Sequence, residues 1–385
     1  MKNINRFKFS AGIFKKERVP TLLILMIISF MFAAAYWNIL LPRKDFYNEL
    51  WSPAFLLVHG QSPYQTDGLD AELPAAWLPM SIGFFSPLGL LEENIARGVW
   101  YFFNILVLCG IILLTLGRDQ KPYDVIILAL FSFLFPMTLA HLILGQFSLV
   151  TTLCAMIAVV LIVNNFHWAG AALLALGLSK PQLLTLVGIG LCYRYLQEGG
   201  YGSVLKFGLR VSSAIFLLCL PLFVAYPNWI PDALEGYKKN PYWSYPTMYT
   251  VLPSFLGKAG FGLWLVLVIF VVWGTIRLWK NFEPIFAAYW SLALALLVTP
   301  YAGPWDFVVL LPVFLYAFSI ADRKRKVLAG FLYFVIWCCA LYVQYSEGSI
   351  SFSFWWIPPL MMIFTALAID WKAELEKGGR PPLSV

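Results

Sequence analysis

Charged residues are scarce in this chain of 385 residues: they make up 12% of the sequence, whereas hydrophobic residues make up 61%. Apolar runs near or above the roughly 18 to 20 residues needed to cross a bilayer recur along almost the whole length. This composition excludes a sizeable soluble domain. We therefore predict an all-α polytopic membrane protein that forms a single integral membrane domain over residues 1–385.

The chain also lacks metal-ligand and nucleotide-binding patterns. Its six cysteines fall inside apolar segments without metal-ligand spacing, so we interpret them as core residues. No phosphate-binding loop of the Walker type is present, which argues against a nucleotide substrate. We expect no metal site and no cofactor. The net charge of +7 does not indicate nucleic-acid binding, because the basic residues lie in short loops where they orient a membrane protein.

Basic residues set the predicted orientation. Residues 1–19 are rich in Lys and Arg, so the positive-inside rule places this N-terminus in the cytoplasm. A first span at about residues 20–41 then brings residues 42–97 outside as the first external loop. Prolines break this loop too often for spans. We expect its two apolar pieces, residues 51–59 and 77–91, to be helices that lie in the membrane interface.

The remaining apolar segments predict further spans. They lie at about residues 98–116, 123–143, 146–163, 204–226, 255–279, 285–299, 305–320, 327–345 and 354–371. Between them we expect an aromatic external loop at residues 227–252. The chain would end in a cytoplasmic tail at residues 372–385.

The piece at residues 168–196 is interrupted by Ser179, Lys180 and Pro181. Each arm is too short to cross, so we interpret it as two short helices that return to the cytoplasmic side, with Lys180 at the tip. Counted as two, they bring the prediction to about twelve transmembrane helices. In an alternative arrangement residues 77–91 span the membrane and residues 168–196 cross once, and it fits the loop charges nearly as well.

Several polar residues are predicted to meet at the outer face. Asp45 follows the first span, and a carboxylate at this depth must face water or line a polar cavity, because burial in lipid is costly. His141 and Gln146 flank a tight turn at Gly145. Lys180 points towards the same region from the broken segment.

A late turn, TPYAGPWDF, adds Tyr301, Trp305 and Asp306 to this face. One carboxylate, one buried cation and amide or imidazole donors above a membrane suit a reaction on a lipid-linked substrate. The carboxylate would take a proton from an acceptor hydroxyl, and the cation would stabilise a leaving phosphate.

Structural explanations stay open for each of these residues. Asp45 could pair with a neighbouring basic residue as an interfacial anchor, and His141 could be a hydrogen-bonded histidine at a helix end. Gln146 could cap the following helix, and Lys180 could extend its ammonium to the interface. The aromatic residues of the loop at 227–252 could stack on sugars or form the usual aromatic belt of a membrane surface.

The stretch DFYNELWSPAFLLVHGQSPY resembles the first external loop of glycosyltransferase family 87, the polyprenol-phosphate-mannose-dependent mannosyltransferases. The matching residues are Asp45, Phe46, Trp51, Ala54, Gly60, Pro63 and Tyr64. The later blocks GQFSLVTTL, AGAALLALGLSKPQ and TPYAGPWDF are similar to family blocks in the same order. The resemblance covers most of residues 42–312.

This resemblance implies a GT-C fold, a sugar donor carried on a polyprenyl phosphate, no required metal and inversion of configuration. It implies Asp45 as the general base and places Lys180 and Gln146 near the donor phosphate or sugar. His141 is a further candidate for donor binding. The remaining candidates for substrate binding are Tyr64, Tyr301, Trp305 and Asp306. Many members of the family carry His shortly after the tryptophan of the late block, where this chain has Asp306, so the acceptor and the sugar stay open.

The leading hypothesis is therefore a multi-pass glycosyltransferase of the plasma membrane. It would move a sugar, with mannose as the first choice, from a polyprenyl-phosphate donor to a lipid-linked or glycan acceptor on the extracytoplasmic face. Its partners would be these substrates and membrane lipids, with no nucleic acid. One alternative is a transporter or flippase of lipid-linked glycans, although the sequence shows no repeat symmetry and most of the charged groups lie at one face of the membrane. Another is a non-catalytic assembly subunit.

Overall fold

A computed structural model describes residues 19–36, 44–66, 68–69, 71, 73, 75–116, 121–239, 245–348 and 351–377. Within these ranges the regular elements are all helical. The predicted cytoplasmic N-terminus up to residue 18 and residues 378–385 of the predicted tail lie outside the described residues. Parts of the predicted first external loop and of the predicted aromatic loop also lie outside the described residues.

The N-terminal half consists of helices joined by short turns. These are α1 (Val19–Tyr36), α2 (Lys44–Phe46), α3 (Ser52–Val58), α4 (Pro79–Phe85), α5 (Glu93–Thr115), α6 (Pro122–Leu134), α7 (Pro136–Leu144), α8 (Ser148–Val163) and α9 (His167–Gly177). A π-helical turn, Tyr47–Trp51, connects α2 with α3, and a 3-10 turn, Ser86–Leu90, follows α4. Proline begins α4, α6 and α7, where its missing N–H has no helical partner to lose.

The C-terminal half follows the same pattern. Its helices are α10 (Pro181–Ala225), α11 (Trp229–Lys239), α12 (Met248–Leu256), α13 (Lys258–Asn281), α14 (Pro284–Val298), α15 (Leu311–Ile320), α16 (Arg323–Glu347), α17 (Ile357–Ala368) and α18 (Trp371–Lys377). The 3-10 turns Pro304–Leu310 and Phe352–Trp356 lead directly into α15 and α17.

Among the described residues, four helices are long and apolar enough to cross a membrane: α5, α10, α13 and α16. The number rises to six if two bent pairs, α6 with α7 and Phe352–Ala368 with α18, each form one span. Several other helices are apolar but shorter, including α1, α8, α9 and α14. This composition supports the predicted multi-pass membrane protein, while the total of about twelve crossings stays a prediction.

The structure has two helix breaks near predicted spans. One lies inside a segment predicted as a single span, and the other lies between two segments predicted as separate helices. The predicted span at 123–143 bends by 54° between α6 and α7, because Pro136 cannot donate a helical hydrogen bond and its ring clashes with the preceding turn. Helix α10 is interrupted at Gly200, which has φ 66° and ψ −165°. Gly200 thus separates the second short arm from the helical segment that contains the predicted span at 204–226.

Helix α8 lies at the centre of the hydrophobic core, and most of its residues are buried. Around it, Trp100 of α5, Tyr289 of α14 and Phe307 of the late 3-10 turn are also fully buried. Helices α13 and α16, in contrast, expose many large apolar side chains. This arrangement fits a bundle with α8 inside and with α13 and α16 towards lipid.

Candidate active site

The turn at Gly145 directs Gln146 into the site. Gly145 ends α7 with φ 73°, a left-handed conformation that glycine adopts without steric cost. The N–H groups of Gly145 and Gln146 both donate to the carbonyl of His141, at 3.0 and 3.1 Å. The indole of Trp100 donates to the carbonyl of Gly145 at 2.8 Å. The turn is therefore fixed from both sides just before α8 begins.

Gln146 bridges Asp45 and Lys180. Its amide nitrogen donates to the carboxylate of Asp45, and its amide oxygen accepts from the ammonium of Lys180. Gln146 and Lys180 are buried, whereas Asp45 is half-buried. Three residues that the sequence analysis took from three separate blocks therefore meet in one network.

The ammonium of Lys180 contacts two further side chains. It lies 3.1 Å from the hydroxyl of Ser148 and 2.7 Å from a carboxylate oxygen of Asp306. Ser148 also donates to the same oxygen of Asp306. With Gln146, these partners use all three hydrogens of the ammonium. The break between α9 and α10 thus places a fully hydrogen-bonded cation beside the start of α8.

Asp306 is fixed by the turn that carries it. Its second carboxylate oxygen accepts from the N–H of Gly303 at 3.0 Å, and its own N–H donates to the carbonyl of Gly303 at 2.9 Å. A Cβ at Gly303 would lie 2.2 Å from the ring of Trp305, so glycine is required for this close approach. Both carboxylate oxygens of Asp306 are therefore hydrogen-bonded.

Asp45, which belongs to this network, and Glu49 are two carboxyl groups four residues apart in the chain. Burial raises the pKa of Asp45 to about 6, although the charge of Lys180 and the hydrogen bond from Gln146 oppose the shift. Burial raises the pKa of Glu49 to about 8, and the charge of Asp45 adds to this effect. Near neutral pH, Asp45 is thus mainly ionised, while Glu49 retains its proton.

Glu49 and Lys180 both contact Trp77, Glu49 at the backbone and Lys180 at the ring. One oxygen of Glu49 accepts from the backbone N–H of Trp77 at 2.9 Å. The ammonium of Lys180 lies 5.7 Å from the centroid of the Trp77 ring, within the range of a cation–π contact. The ring also packs against Phe147, with centroids 5.3 Å apart.

His141, whose carbonyl accepts from the N–H of Gln146, has a fully buried side chain. Its Nδ1 is 3.3 Å from the carbonyl oxygen of Trp305, and its Nε2 is 3.3 Å from the side-chain oxygen of Asn104. These contacts connect the Gly145 turn with the late turn that carries Asp306. A direct contact of His141 with the donor stays a prediction.

Tyr301 and Trp305 are the other two candidates from the turn TPYAGPWDF, which also carries Asp306. Tyr301 is 43% exposed, and its ring centroid lies 5.7 Å from that of Tyr245. Trp305 is half-buried against Gly303. Tyr301 and Trp305 precede Asp306 in the late turn and are both more exposed than it is. Their binding of substrate stays a prediction.

Tyr64 belongs to a second, smaller hydrophobic cluster. Its ring centroid lies 6.4 Å from that of Trp229 and 5.9 Å from that of Tyr237. The hydroxyl of Tyr237 donates to the carbonyl of Trp77 at 3.4 Å. Tyr64 is thus buried and is connected to Trp77 through Tyr237. Its contact with substrate stays a prediction.

The sequence analysis did not select Ser148 or Glu49. Ser148 is part of the GQFSLVTTL block and follows Gln146 by two residues, so it could have been found as a polar residue at the start of an apolar helix. Glu49 follows Asp45 by four residues, the spacing that places two side chains on one helical face. Its backbone partners at positions 76 and 77 could not be read from any local pattern.

No group of three or more His, Cys, Asp or Glu side chains that could hold a metal ion occurs in the described part of the chain. The positive charge of the network comes from Lys180, which contacts Asp306 directly and Asp45 through Gln146. The arrangement can bind an anionic group at the ammonium and accept a proton at Asp45.

A membrane bundle with a carboxylate and a buried ammonium in one polar network fits an enzyme that acts on a lipid-linked substrate. The family model of glycosyltransferase family 87 matches residues 79–300, more than half of the chain. The chain therefore belongs to glycosyltransferase family 87 and is a membrane glycosyltransferase, which confirms the resemblance found in the sequence. The matched range includes Gln146, Ser148 and Lys180 but neither Asp45 nor Asp306. No curated protein matches the chain.

Proposed function

We propose that this enzyme transfers a sugar, with mannose as the first choice, from a polyprenyl-phosphate donor to a lipid-linked or glycan acceptor. Asp45 is the general base of an inverting displacement, and Lys180 stabilises the phosphate that leaves. The observation that carries the proposal is the Gln146 bridge, which holds a carboxylate and an ammonium one amide group apart.

The chemistry needs one proton acceptor and one cation. The acceptor hydroxyl attacks the anomeric carbon from the side opposite the phosphate, and the bond from that carbon to the phosphate oxygen breaks. Asp45 takes the hydroxyl proton as the new bond forms. The polyprenyl phosphate leaves with its added negative charge beside Lys180. Phosphate is a good leaving group, so no second carboxyl is needed as an acid.

Asp45 suits the role of base better than Asp306 does. Asp45 is half-buried, so an acceptor can reach it, whereas Asp306 is 2% exposed. Both oxygens of Asp306 accept hydrogen bonds, and one of them also pairs with Lys180. Asp306 therefore suits the task of orienting Lys180.

Donor binding requires an exchange of partners at Lys180. Its three hydrogens point at Gln146, Ser148 and Asp306. A phosphate oxygen would replace the neutral amide or hydroxyl more easily than the charged carboxylate, since the buried ion pair is the strongest of the three contacts. Lys180 would thus bind phosphate while Asp306 keeps it in place.

The proposal includes the membrane arrangement. About twelve crossings, with interfacial helices in the first external loop at 42–97, would place the network on the extracytoplasmic face of the plasma membrane. The N-terminus at 1–19 and the tail at 372–385 would be cytoplasmic, and the loop at 227–252 external. His141 would support donor binding from behind Gln146. The acceptor would meet the outer residues Tyr301 and Trp305, while Tyr64 and Asp306, which are buried, would support substrate binding without direct contact with the acceptor.

The test uses the full-length protein in proteoliposomes. Purified enzyme is incubated with polyprenyl-phosphate mannose, and with the corresponding glucose and arabinose donors, in the presence of a membrane lipid extract. We expect release of polyprenyl phosphate and transfer of the sugar, with mannose as the best donor. Turnover of nucleotide sugars without turnover of any polyprenyl-phosphate sugar would contradict the proposal.

A further inference from the structure

Glu49 is a buried carboxyl group that the proposed chemistry does not use. It lies in the π-helical turn after α2 and is 8% exposed. One of its oxygens accepts from the backbone N–H groups of both Ala76 and Trp77. A single side chain thus connects the helical run that carries Asp45 with a segment about 27 residues further along the chain.

Residues 76–78, which we call the strap, lie outside the helices and have few backbone partners of their own. The N–H of Leu78 donates to the carbonyl of Ser179 at 3.3 Å. The carbonyl of Trp77 accepts from the hydroxyl of Tyr237 at 3.4 Å. The N–H groups of Ala76, which is exposed, and of Trp77, which is buried, both donate to Glu49. An unpaired N–H at the buried Trp77 would be unfavourable.

The strap contacts Lys180 in two ways. It is hydrogen-bonded to Ser179, the residue that precedes Lys180. The ring of Trp77 lies with its centroid 5.7 Å from the ammonium of Lys180, which also pairs with Asp306. A shift of the strap would therefore move both the backbone beside Lys180 and the indole ring that contacts its ammonium.

We propose that Glu49 is a positioning residue for Lys180: its carboxyl oxygen holds the strap, and the strap holds the ammonium in place beside Gln146 and Asp306. The role requires a hydrogen-bond acceptor at position 49 and does not require a charge. The kinetic consequence depends on the proposed function, in which Lys180 binds the donor phosphate.

The kinetic test compares Glu49→Gln, which keeps an acceptor oxygen, with Glu49→Leu, which removes it. Glu49→Leu should raise the donor KM about 10- to 100-fold, as expected when buried donors lose their acceptor, and leave the acceptor KM unchanged. Glu49→Gln should stay close to the parent enzyme. The control is Glu92→Leu, since Glu92 is an exposed glutamate of the same external region. Equal defects in Glu49→Gln and Glu49→Leu, or none in either, would overturn the proposal.

A second measurement does not depend on activity. Hydrogen–deuterium exchange of the peptide that contains the strap reports on the amides of Ala76 and Trp77. Faster exchange in Glu49→Leu with retained protection in Glu49→Gln supports the proposal, and unchanged exchange in Glu49→Leu overturns it. If Glu49→Leu does not fold, Glu49→Ala removes the acceptor without added bulk and serves the same test. A parent enzyme that transfers no sugar would contradict the proposed function, while exchange would still test the strap.

Discussion

The ammonium of Lys180 lies 2.7 Å from a carboxylate oxygen of Asp306, and both side chains are buried. The pair connects the break before α10 with the turn before α15, two segments that are 126 residues apart in the chain. Because each charge is shielded from water, each depends on the other for stabilisation. The cation that we assign to the donor phosphate is therefore part of the framework of the site.

Replacing Asp306 should destabilise the fold strongly. Asp306→Asn keeps the size of the side chain but leaves the charge of Lys180 without its partner, and breaking a buried pair in this way costs about 3 to 5 kcal/mol. The matched control is Asp124→Asn, because Asp124 pairs with Lys326 at 3.0 Å in a more exposed setting. We expect a loss of at most about 1 kcal/mol there. Thermal unfolding in detergent measures both, and equal losses would argue against a special role for the buried pair.

Donor use should depend on the charge of Lys180. Lys180→Gln removes the cation that stabilises the leaving phosphate, so kcat/KM for the donor should fall by about two to three orders of magnitude, as when an enzyme loses one preorganised donor of its charge-stabilising site. Lys258→Gln changes an exposed lysine and should leave donor use unchanged. Steady-state kinetics with varied donor measures this. Parent-like kinetics in folded Lys180→Gln would restrict Lys180 to a structural role.

The activity should depend on pH through Asp45. A base must be ionised to accept a proton, and burial raises the pKa of Asp45 to about 6. We therefore expect kcat/KM to rise with pH up to about 6 and then level off. The hydrogen bond from Gln146 lowers the pKa of Asp45, so Gln146→Leu should move this limb to higher pH. A limb that stays in place in Gln146→Leu would show that another group controls it.

The proposed orientation is open to cysteine labelling in a cysteine-free background. Glu235 and Lys324 are both exposed and lie on opposite sides of the membrane in the proposed topology. An impermeant maleimide should label Glu235→Cys in intact cells and Lys324→Cys only after permeabilisation. The reverse pattern would place the network at the cytoplasmic face.

The sequence singled out residues that the structure brings together where polar residues interrupt apolar segments, and their roles stay predictions. Asp45, Gln146, Lys180 and Asp306 all stand out for this reason, and the structure joins them by hydrogen bonds. The helix break at Lys180 was also predicted, because proline follows it directly. Ser148 carried only a weak signal, as a polar residue at the start of an apolar helix, and its contacts with Lys180 and Asp306 were needed to assign it to the network.

Other features of the structure were not predicted, in part because they depend on contacts between residues far apart in the sequence. The contact between Glu49 and Trp77 spans 28 residues and uses backbone N–H groups, which no side-chain pattern reveals. The bend at Pro136 was not predicted, because the segment is apolar enough for one span and a transmembrane helix can tolerate a proline. The number of crossings depends on helices that are apolar but short, and length alone does not assign those.

The central claim is that Asp45 is the general base, and the most direct measurement is sugar transfer by Asp45→Asn beside Asp306→Asn. The amide keeps the size of the carboxylate but cannot accept the proton, so transfer by Asp45→Asn should fall by roughly two to four orders of magnitude. Donor binding should largely survive, because Lys180 is unchanged. If folded Asp45→Asn transfers sugar at the parent rate, the assignment of Asp45 as the base is wrong, and a loss of transfer in an Asp306→Asn protein that is still folded would make Asp306 the rival candidate.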